Sequence, residues 1–267
     1  MASWSPKQYL KFADLRARPC RELAASVHVA EPGRIADLGC GPGNLAPIAA
    51  DIWPGAAIVG IDSSPAMIEA ARAAHPEHEW QRGDIVEWAD SDGERYPIVF
   101  SNAALQWLGD HAELFPKLFE HVEPGGALAV QMPGNYHALQ HVTLREMVAS
   151  PRWRRWFPEG RAREWHSHDL DFYYLALAPH ASHLDLWATE YIQVMPDVEA
   201  IVEWYKATGL RPYLDPIAEE ADRAQFLAEY LEKLRAIFPA AGGKVLFPFR
   251  RVFVVAYREG VSEASHV

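Results

Sequence analysis

The chain has 267 residues, of which 49% are apolar, 12% aromatic and 23% charged, which is enough apolar material for a substantial core and excludes a disordered or fibrous chain. Its formal charge of −11 argues against nucleic acid or an anionic membrane surface as partner, since both are attracted by surplus Lys and Arg. It does not exclude a small anion, because a pocket answers to the few charges around it and those beyond a Debye length of roughly 8 Å are screened.

Two cysteines, Cys20 and Cys40, make neither a disulfide framework nor a four-ligand zinc site and are expected as reduced thiols. The opening MASWSPKQYL has no apolar run of signal-peptide length, and no stretch approaches the ~20 apolar residues of a membrane span. The expectation is a soluble cytoplasmic protein. The length is compatible with one core carrying a large insertion as well as with two domains.

Arg34 to Leu38 (RIADL) is the first predicted strand, and it runs into Gly39, Gly41 and Gly43. A helix over Asn44 to Ile52 follows, with Leu45, Ile48, Ala49 and Ile52 on its apolar side. Ala57 to Ile61 is the second strand. Ser64 as N-cap and Pro65 at the first helical position then start a helix that continues to Ala74. Glu79 to Gln81 is a short third strand before Gly83 and Asp84, and Tyr96 to Ser101 is a fourth, with Leu114 to His121 as the helix after it. Pro124, Gly125 and Gly126 turn the chain into the fifth strand, Ala127 to Met132. Strands alternating with helices at short connections predict an α/β fold with a doubly wound, mostly parallel sheet.

The pattern changes after Pro133. Six arginines, Arg145, Arg152, Arg154, Arg155, Arg161 and Arg163, fall within 19 residues; they read either as a collar steering an anion or, preferentially, as an ordinary solvated loop. Leu184 to Met195 and Lys244 to Tyr257 are strand-like. Between them a helix over Val198 to Thr208 stops at Gly209, and Asp215 with Pro216 is expected to start a second whose stripe is Leu227, Tyr230, Leu231, Leu234 and Phe238. His166 with His168, and His180 with His183, lack a third ligand at suitable spacing, so no metal site is expected. Val261 to Val267 reads as a frayed tail.

The glycine segment, Asp37 to Asn44 (DLGCGPGN), is G-x-G-x-G, one residue shorter than the dinucleotide fingerprint. Glycines where a strand turns into a helix let a ligand approach the backbone. Asp62, at the end of the second strand, suits a pair of ribose hydroxyls, and Asp84 after the third suits an exocyclic adenine amine. Each aspartate alone is as well explained as a turn cap, but three in register with the glycine loop point to a nucleoside across the carboxyl ends of the strands.

These motifs resemble the class I methyltransferases that use S-adenosylmethionine. The resemblance implies a Rossmann-like sheet of about seven strands with a helical cap over the substrate pocket. Its cofactor core spans residues 28–133, its helical insertions 134–183 and 196–243, and its last strands 184–195 and 244–258. It further implies that Asp37 with Gly39 and Gly41 holds the methionine portion and that Asp62 holds the ribose, with Cys40, Ser63 and Met67 as further cofactor-binding residues. Asp84 with Ile85 would lie at the adenine, and Asn102 with Ala103 would border the amino group and methyl face.

Several phrases beyond the cofactor motifs resemble the branch that esterifies a carboxylate of trans-aconitate, a small unsaturated tricarboxylic acid. They are Trp4 to Pro19, Gly60 to Met67 (GIDSSPAM), Asn102 to Leu108 (NAALQWL), Pro124 to Pro133 (PGGALAVQMP) and Ala207 to Leu214 (ATGLRPYL). A carboxylate is already an anion at neutral pH, so its attack on a sulfonium methyl needs no general base and no metal. The remaining carboxylates need cations, preferably guanidinium. Arg211 is the first candidate, with Tyr213, Trp107 and Gln106 as walls and hydrogen-bond partners. Arg16 and Arg18, with Tyr9, lie on an N-terminal segment that commonly folds over the cofactor in this superfamily; both are candidates for the substrate, and one of them, Arg18 first, is a candidate for the cofactor's own carboxylate instead. Two further readings stay open: a methyltransferase of this fold acting on another small metabolite, and a catalytically silent nucleotide-binding protein. A nicotinamide-dependent dehydrogenase is disfavoured by the glycine spacing. A monomer or weak homo-oligomer is expected.

Overall fold

The computed structural model describes residues 13–159, 165–206 and 209–260. It forms one seven-stranded sheet of order β3-β2-β1-β4-β5-β7-β6. The strands are β1 (Arg34–Leu38), β2 (Ala57–Asp62), β3 (Glu79–Arg82), β4 (Tyr96–Asn102), β5 (Val122–Pro133), β6 (His183–Met195) and β7 (Val245–Tyr257). β1 pairs in parallel with β2 and β4, β2 with β3 and β4 with β5, while β7 runs antiparallel to β5 from Ala127↔Tyr257 to Pro133↔Arg251. The first five strands match the predicted order, and β5 begins five residues earlier than the apolar run alone suggests.

The chain divides into two compact units. The first holds, among the described residues, Asp14–Gly134, His166–Thr189 and the chain from Arg251 to Gly260. Its central strands are buried on both faces, which is why RIADL and AIVGI read as continuous apolar runs without alternation. Six helices belong mainly to it among the described residues: α1 (Ala13–Ala25), α2 (Leu45–Ile52), α3 (Pro65–Ala74), α4 (Ile85–Ala89), α5 (His111–Glu120) and α7 (Leu170–Leu177). The core joins Val99, Leu128 and Val130 of the sheet to Phe115 and Phe119 of α5 and to Tyr173 and Leu177 of α7. The stretch 166–183, expected with the helical insertion, therefore packs with the sheet unit. Gly60 is required on β2 because a Cβ there would meet the Trp80 ring at 2.3 Å.

The second unit holds the described residues of Asn135–Trp165 and Glu190–Arg250 and includes α6 (Leu139–Ala149), α8 (Val198–Lys206), α9 (Arg211–Leu214) and α10 (Glu220–Ile237). Its own core gathers Leu144, Met147 and Val148 of α6 with Phe226, Tyr230 and Leu234 of α10 and Phe247 of β7. Trp153 packs edge-on against Phe226 at 5.0 Å and donates its indole N–H to Glu229 at 2.9 Å.

Three local expectations are corrected. Asp215 and Pro216 do not start α10: Asp215 ends α9, and the long helix begins at Glu220 with Glu219 in the N-cap position. Proline's fixed φ suits a turn as well as a first helical residue, and here it follows the end of α9. Ser64 occupies the N-cap position of α3 with extended backbone, but its hydroxyl makes no cap bond; its N–H is instead taken by Asp62. α5 starts at His111, three residues before the predicted start, because Asp110 adopts left-handed φ +52 and its carbonyl accepts from Glu113 and Leu114.

Candidate functional site

The parallel pairing brings the carboxyl ends of β1, β2, β3 and β4 to one edge, and the predicted cofactor residues lie there. Gly39 and Cys40 donate their N–H groups to the carbonyl of Ile61 at 2.7 and 3.1 Å, which ties the glycine loop to the end of β2. Asp62 completes the tie: Oδ2 accepts from Gly41 N–H at 3.0 Å and Oδ1 from Ser64 N–H at 2.8 Å. Each oxygen keeps a second lone pair, so the carboxylate is oriented without being saturated. Burial raises its pKa, while the two backbone N–H groups lower it.

Gly39, Gly41 and Gly43 have φ of +74, +56 and +85, in the left-handed region that other residues enter at a cost. The first two serve different ends. A Cβ on Gly39 would meet Ala104 Cβ at 2.2 Å, so that glycine lets the β1 and β4 connections pack together, whereas a Cβ on Gly41 would meet nothing within 4 Å, leaving its backbone open to a ligand.

Asp37 is buried, and desolvation, with the negative charge of Asp62 second, pushes its carboxyl up to about 8. A buried carboxyl of this kind is poised to accept a cation. At the end of β4, Ser101 bonds the carbonyl of Leu38 at 2.8 Å, and Asn102 presents a buried Oδ1 with no hydrogen-bond partner among the described residues. Ala103 then takes φ +57, an unusual conformation for a residue with a Cβ, with its N–H on the carbonyl of Gln131. An open glycine, an oriented carboxylate and an unpaired buried acceptor together fit a nucleoside bearing an ammonium group.

Asp84 is exposed and caps α4, its Oδ1 accepting from Val86 N–H at 2.7 Å and Glu87 N–H at 3.4 Å. Its second oxygen carries neither bond. Ile85 lies beside Gly39, its Cδ1 3.6 Å from where a Cβ would stand. Met67 and Cys40 are buried, burial pushing the Cys40 thiol up, and Ser63 is exposed. Arg18 is exposed and bonded to Glu22 at 2.8 Å, one turn along α1. Tyr9 and the Arg16 side chain lie outside the described residues.

Gln106 is buried, and its amide donates to the carbonyl of Ala103 at 2.7 Å, so it braces the turn after β4. Trp107 is half-buried in the same turn. A network unseen in the sequence supports this turn: His111 bonds the carbonyl of Leu105 through Nε2 and the Tyr173 hydroxyl through Nδ1, both at 3.0 Å. Since a carbonyl only accepts, Nε2 carries the proton and Tyr173 donates to Nδ1. Burial lowers the His111 pKa to about 4 and keeps it neutral. His166 and His168 donate backbone N–H groups, to Gln106 and to Tyr173. Among the described residues no three metal-binding side chains gather.

In the second unit, Arg211 is largely buried and lies 3.7 Å from Asp215. Tyr213 is buried, and its hydroxyl is pushed up to about 12, chiefly by desolvation. The arginine-rich stretch is not uniform: Arg152 and Arg155 are exposed and pair with Glu229 and Asp222, whereas Arg145 is half-buried on α6, its guanidinium 4.1 Å from the Tyr136 ring centroid. The reading of a solvated loop fails for Arg145, because residues 139–149 form a helix whose Gln140, His141 and Leu144 are buried. Arg161 and Arg163 lie outside the described residues.

No described helix is long and apolar enough to cross a membrane. A methyltransferase-domain family model matches residues 10–210. The chain is 44% identical over 265 residues to the trans-aconitate 2-methyltransferase of Azoarcus sp. (strain BH72), covering 97% of this chain and all of that protein. The protein of the same name from Yersinia pestis (strain Pestoides F) is 40% identical over 260 residues, covering 97% and 100%. Among solved structures, the YcgJ protein of Bacillus subtilis superposes with a TM-score of 0.58 over 92% of this chain and 99% of its own, at 13% identity, a likeness of fold alone. With the sheet order, the glycine loop and full-length likeness in agreement, the chain belongs to the trans-aconitate 2-methyltransferase family of methyltransferase-domain proteins.

Proposed function

We propose that this chain is an S-adenosylmethionine-dependent O-methyltransferase that esterifies a carboxylate of trans-aconitate or a close small polycarboxylate. The observation that carries the cofactor half is the crosslink of Asp62 to the Gly41 N–H beside an open glycine backbone. The names of the full-length relatives support the substrate half. When bound, the cofactor would supply a sulfonium methyl group for transfer to a carboxylate oxygen, the thioether being the leaving group.

Asp62 would hold the ribose hydroxyls on its remaining lone pairs, with Ser63 and Met67 as neighbouring cofactor contacts. Asp37 and Asn102 Oδ1 receive the ammonium, with Gly39, Cys40, Gly41 and Ala103 as the adjoining wall. Asp84 and Ile85 meet the adenine through the carboxylate oxygen not spent on α4 and through apolar contact. The acceptor is a carboxylate of pKa near 4, so no residue has to remove a proton. What the chain contributes is in-line positioning and exclusion of water from a reaction in which opposite charges become neutral products. Arg211 and Tyr213, with Trp107, Gln106, Arg16 and Tyr9, are assigned to the substrate, and Arg18 to the cofactor's carboxylate. The net charge of −11 favours a protein without nucleic-acid partners; the cytoplasm as its compartment and a monomeric or weakly homo-oligomeric state complete this reading.

Incubation of the purified protein with S-adenosylmethionine and a panel of carboxylic acids is expected to yield S-adenosylhomocysteine and the trans-aconitate monomethyl ester in equal amounts. Absence of turnover with every acid would remove the proposal, and cofactor binding without turnover would favour a silent binding protein.

A further inference from the structure

The sequence leaves six arginines of the 145–163 stretch undifferentiated; the structure separates one of them. Within the second unit, Arg152 lies near Glu229, Arg155 pairs with Asp222, Arg211 lies near Asp215, and Arg235 pairs with Glu199 and Glu232. Arg145 differs: among the described residues no carboxylate lies within 4 Å of its guanidinium, although the residue is half-buried. Partly withdrawing a guanidinium from water without a counter-charge carries a desolvation cost, which a carboxylate ligand would offset.

The group is also held by two contacts to Tyr136. Its Nη1 donates to the carbonyl of Tyr136 at 2.8 Å, and the guanidinium lies over the Tyr136 ring, 4.1 Å from its centroid. With Nη1 so engaged, the Nε–Nη2 edge has no acceptor among the described residues. That edge is the one whose two parallel N–H groups match a carboxylate.

Two neighbours sharpen the chemistry. His141 lies one helical turn before Arg145, and its Nε2 meets the Tyr205 hydroxyl at 3.1 Å. That hydroxyl also accepts from Asn135 at 3.2 Å and Gln140 at 3.3 Å, so its own proton goes to His141 Nε2. His141 is thereby neutral, and the local positive charge belongs to Arg145. Tyr213 keeps its proton and is electrostatically coupled to Arg145, so a neutral donor stands near the cation. No acid faces this group of side chains from α6, α8 or α9 at ion-pair distance from Arg145.

We infer that Arg145, placed over the Tyr136 ring, is the guanidinium that binds a non-reacting carboxylate of the substrate, with the Tyr213 hydroxyl as second donor, and that it determines selectivity for polycarboxylates. This inference rests on the reading of the chain as a methyltransferase acting on a small polyacid. It moves the principal cation from Arg211, whose charge is shared with Asp215, to a residue that sequence placed in a solvated loop.

The test compares wild type with Arg145→Gln, Arg145→Lys and the exposed-site control Arg154→Gln, in turnover of trans-aconitate and in calorimetric binding of trans-aconitate to protein saturated with S-adenosylhomocysteine. Arg145→Gln is expected to raise KM and weaken triacid binding by roughly 10- to 100-fold, with kcat changed less and cofactor affinity unchanged. Arg145→Lys should recover part of the loss, because charge returns without the fork; Arg154→Gln should match wild type. A merely structural role would lower kcat, cofactor affinity and melting temperature together, and Lys would not restore KM. Wild-type turnover with an unaltered KM in Arg145→Gln overturns this inference alone. Wild-type triacid binding without turnover overturns the enzymatic reading, and the loss or retention of that binding in Arg145→Gln still decides the role of Arg145. Failure of wild type to bind any triacid overturns both.

Discussion

Asp37 links cofactor affinity to pH. Its carboxyl, buried beside Asp62, is pushed from 3.8 up to about 8, so the free protein holds it mostly protonated at neutral pH. To pair with an ammonium it must ionise, and each pH unit below its pKa adds about 1.4 kcal/mol to that cost. Between pH 5.5 and 7.5 the cofactor's amine, with a pKa of roughly 7.7–8.0, stays mainly an ammonium, while His111 and His141, lowered to about 4 and about 3, stay neutral. Affinity for S-adenosylhomocysteine should therefore rise about tenfold per pH unit, or about 100-fold across that window, with one proton released. Asp37→Asn, which fixes the uncharged form, should show a nearly flat profile close to the low-pH wild-type value. Calorimetric titration in two buffers of different ionisation enthalpy reads both the affinity and the proton. Wild-type affinities equal within threefold at pH 5.5 and 7.5, with no buffer-dependent heat, would refute the linkage. The stability of the free protein carries the opposite sign: since the folded pKa exceeds the unfolded one, the contribution of Asp37 is full below about pH 4 and is lost as the pH rises toward 8.

Other perturbations separate packing from binding. Gly39→Ala drives a methyl into Ala104 at positive φ and should prevent stable folding, whereas Gly41→Ala bears backbone strain of about 1–3 kcal/mol in open space. The second should remain folded and lose cofactor affinity at least tenfold; circular dichroism and calorimetry compare them, and equal behaviour would contradict the distinction. Tyr205→Phe removes the oxygen shared by Asn135, Gln140 and His141 and should destabilise the second unit by about 2–4 kcal/mol, read by denaturant unfolding. An unchanged midpoint would show that water replaces the hydroxyl.

The cofactor half of the site is legible in sequence because its parts are local. Asp37, the glycines, Asp62 and Asp84 each sit where a strand ends, and parallel pairing brings those ends to one edge whatever the details of packing. Likewise RIADL and ALAVQM declare themselves as strands because both faces are covered. Start signals are less secure: Ser64 and Asp84 both precede helices, yet only Asp84 caps one with its side chain, since the Ser64 N–H is drawn to Asp62.

Tertiary structure decides the states of the charged groups. Whether Asp37 titrates near 4 or near 8 depends on burial between strands from distant parts of the chain. Arg152 and Arg145 are seven residues apart, but the acid near Arg152 is Glu229, far along the chain on α10, while nothing among the described residues neutralises Arg145. A residue type and its spacing specify which chemistry is available. Solvent access and the charges that folding sets beside it specify which of those chemistries the residue performs, because Coulomb and desolvation energies follow distance through space and not distance along the chain.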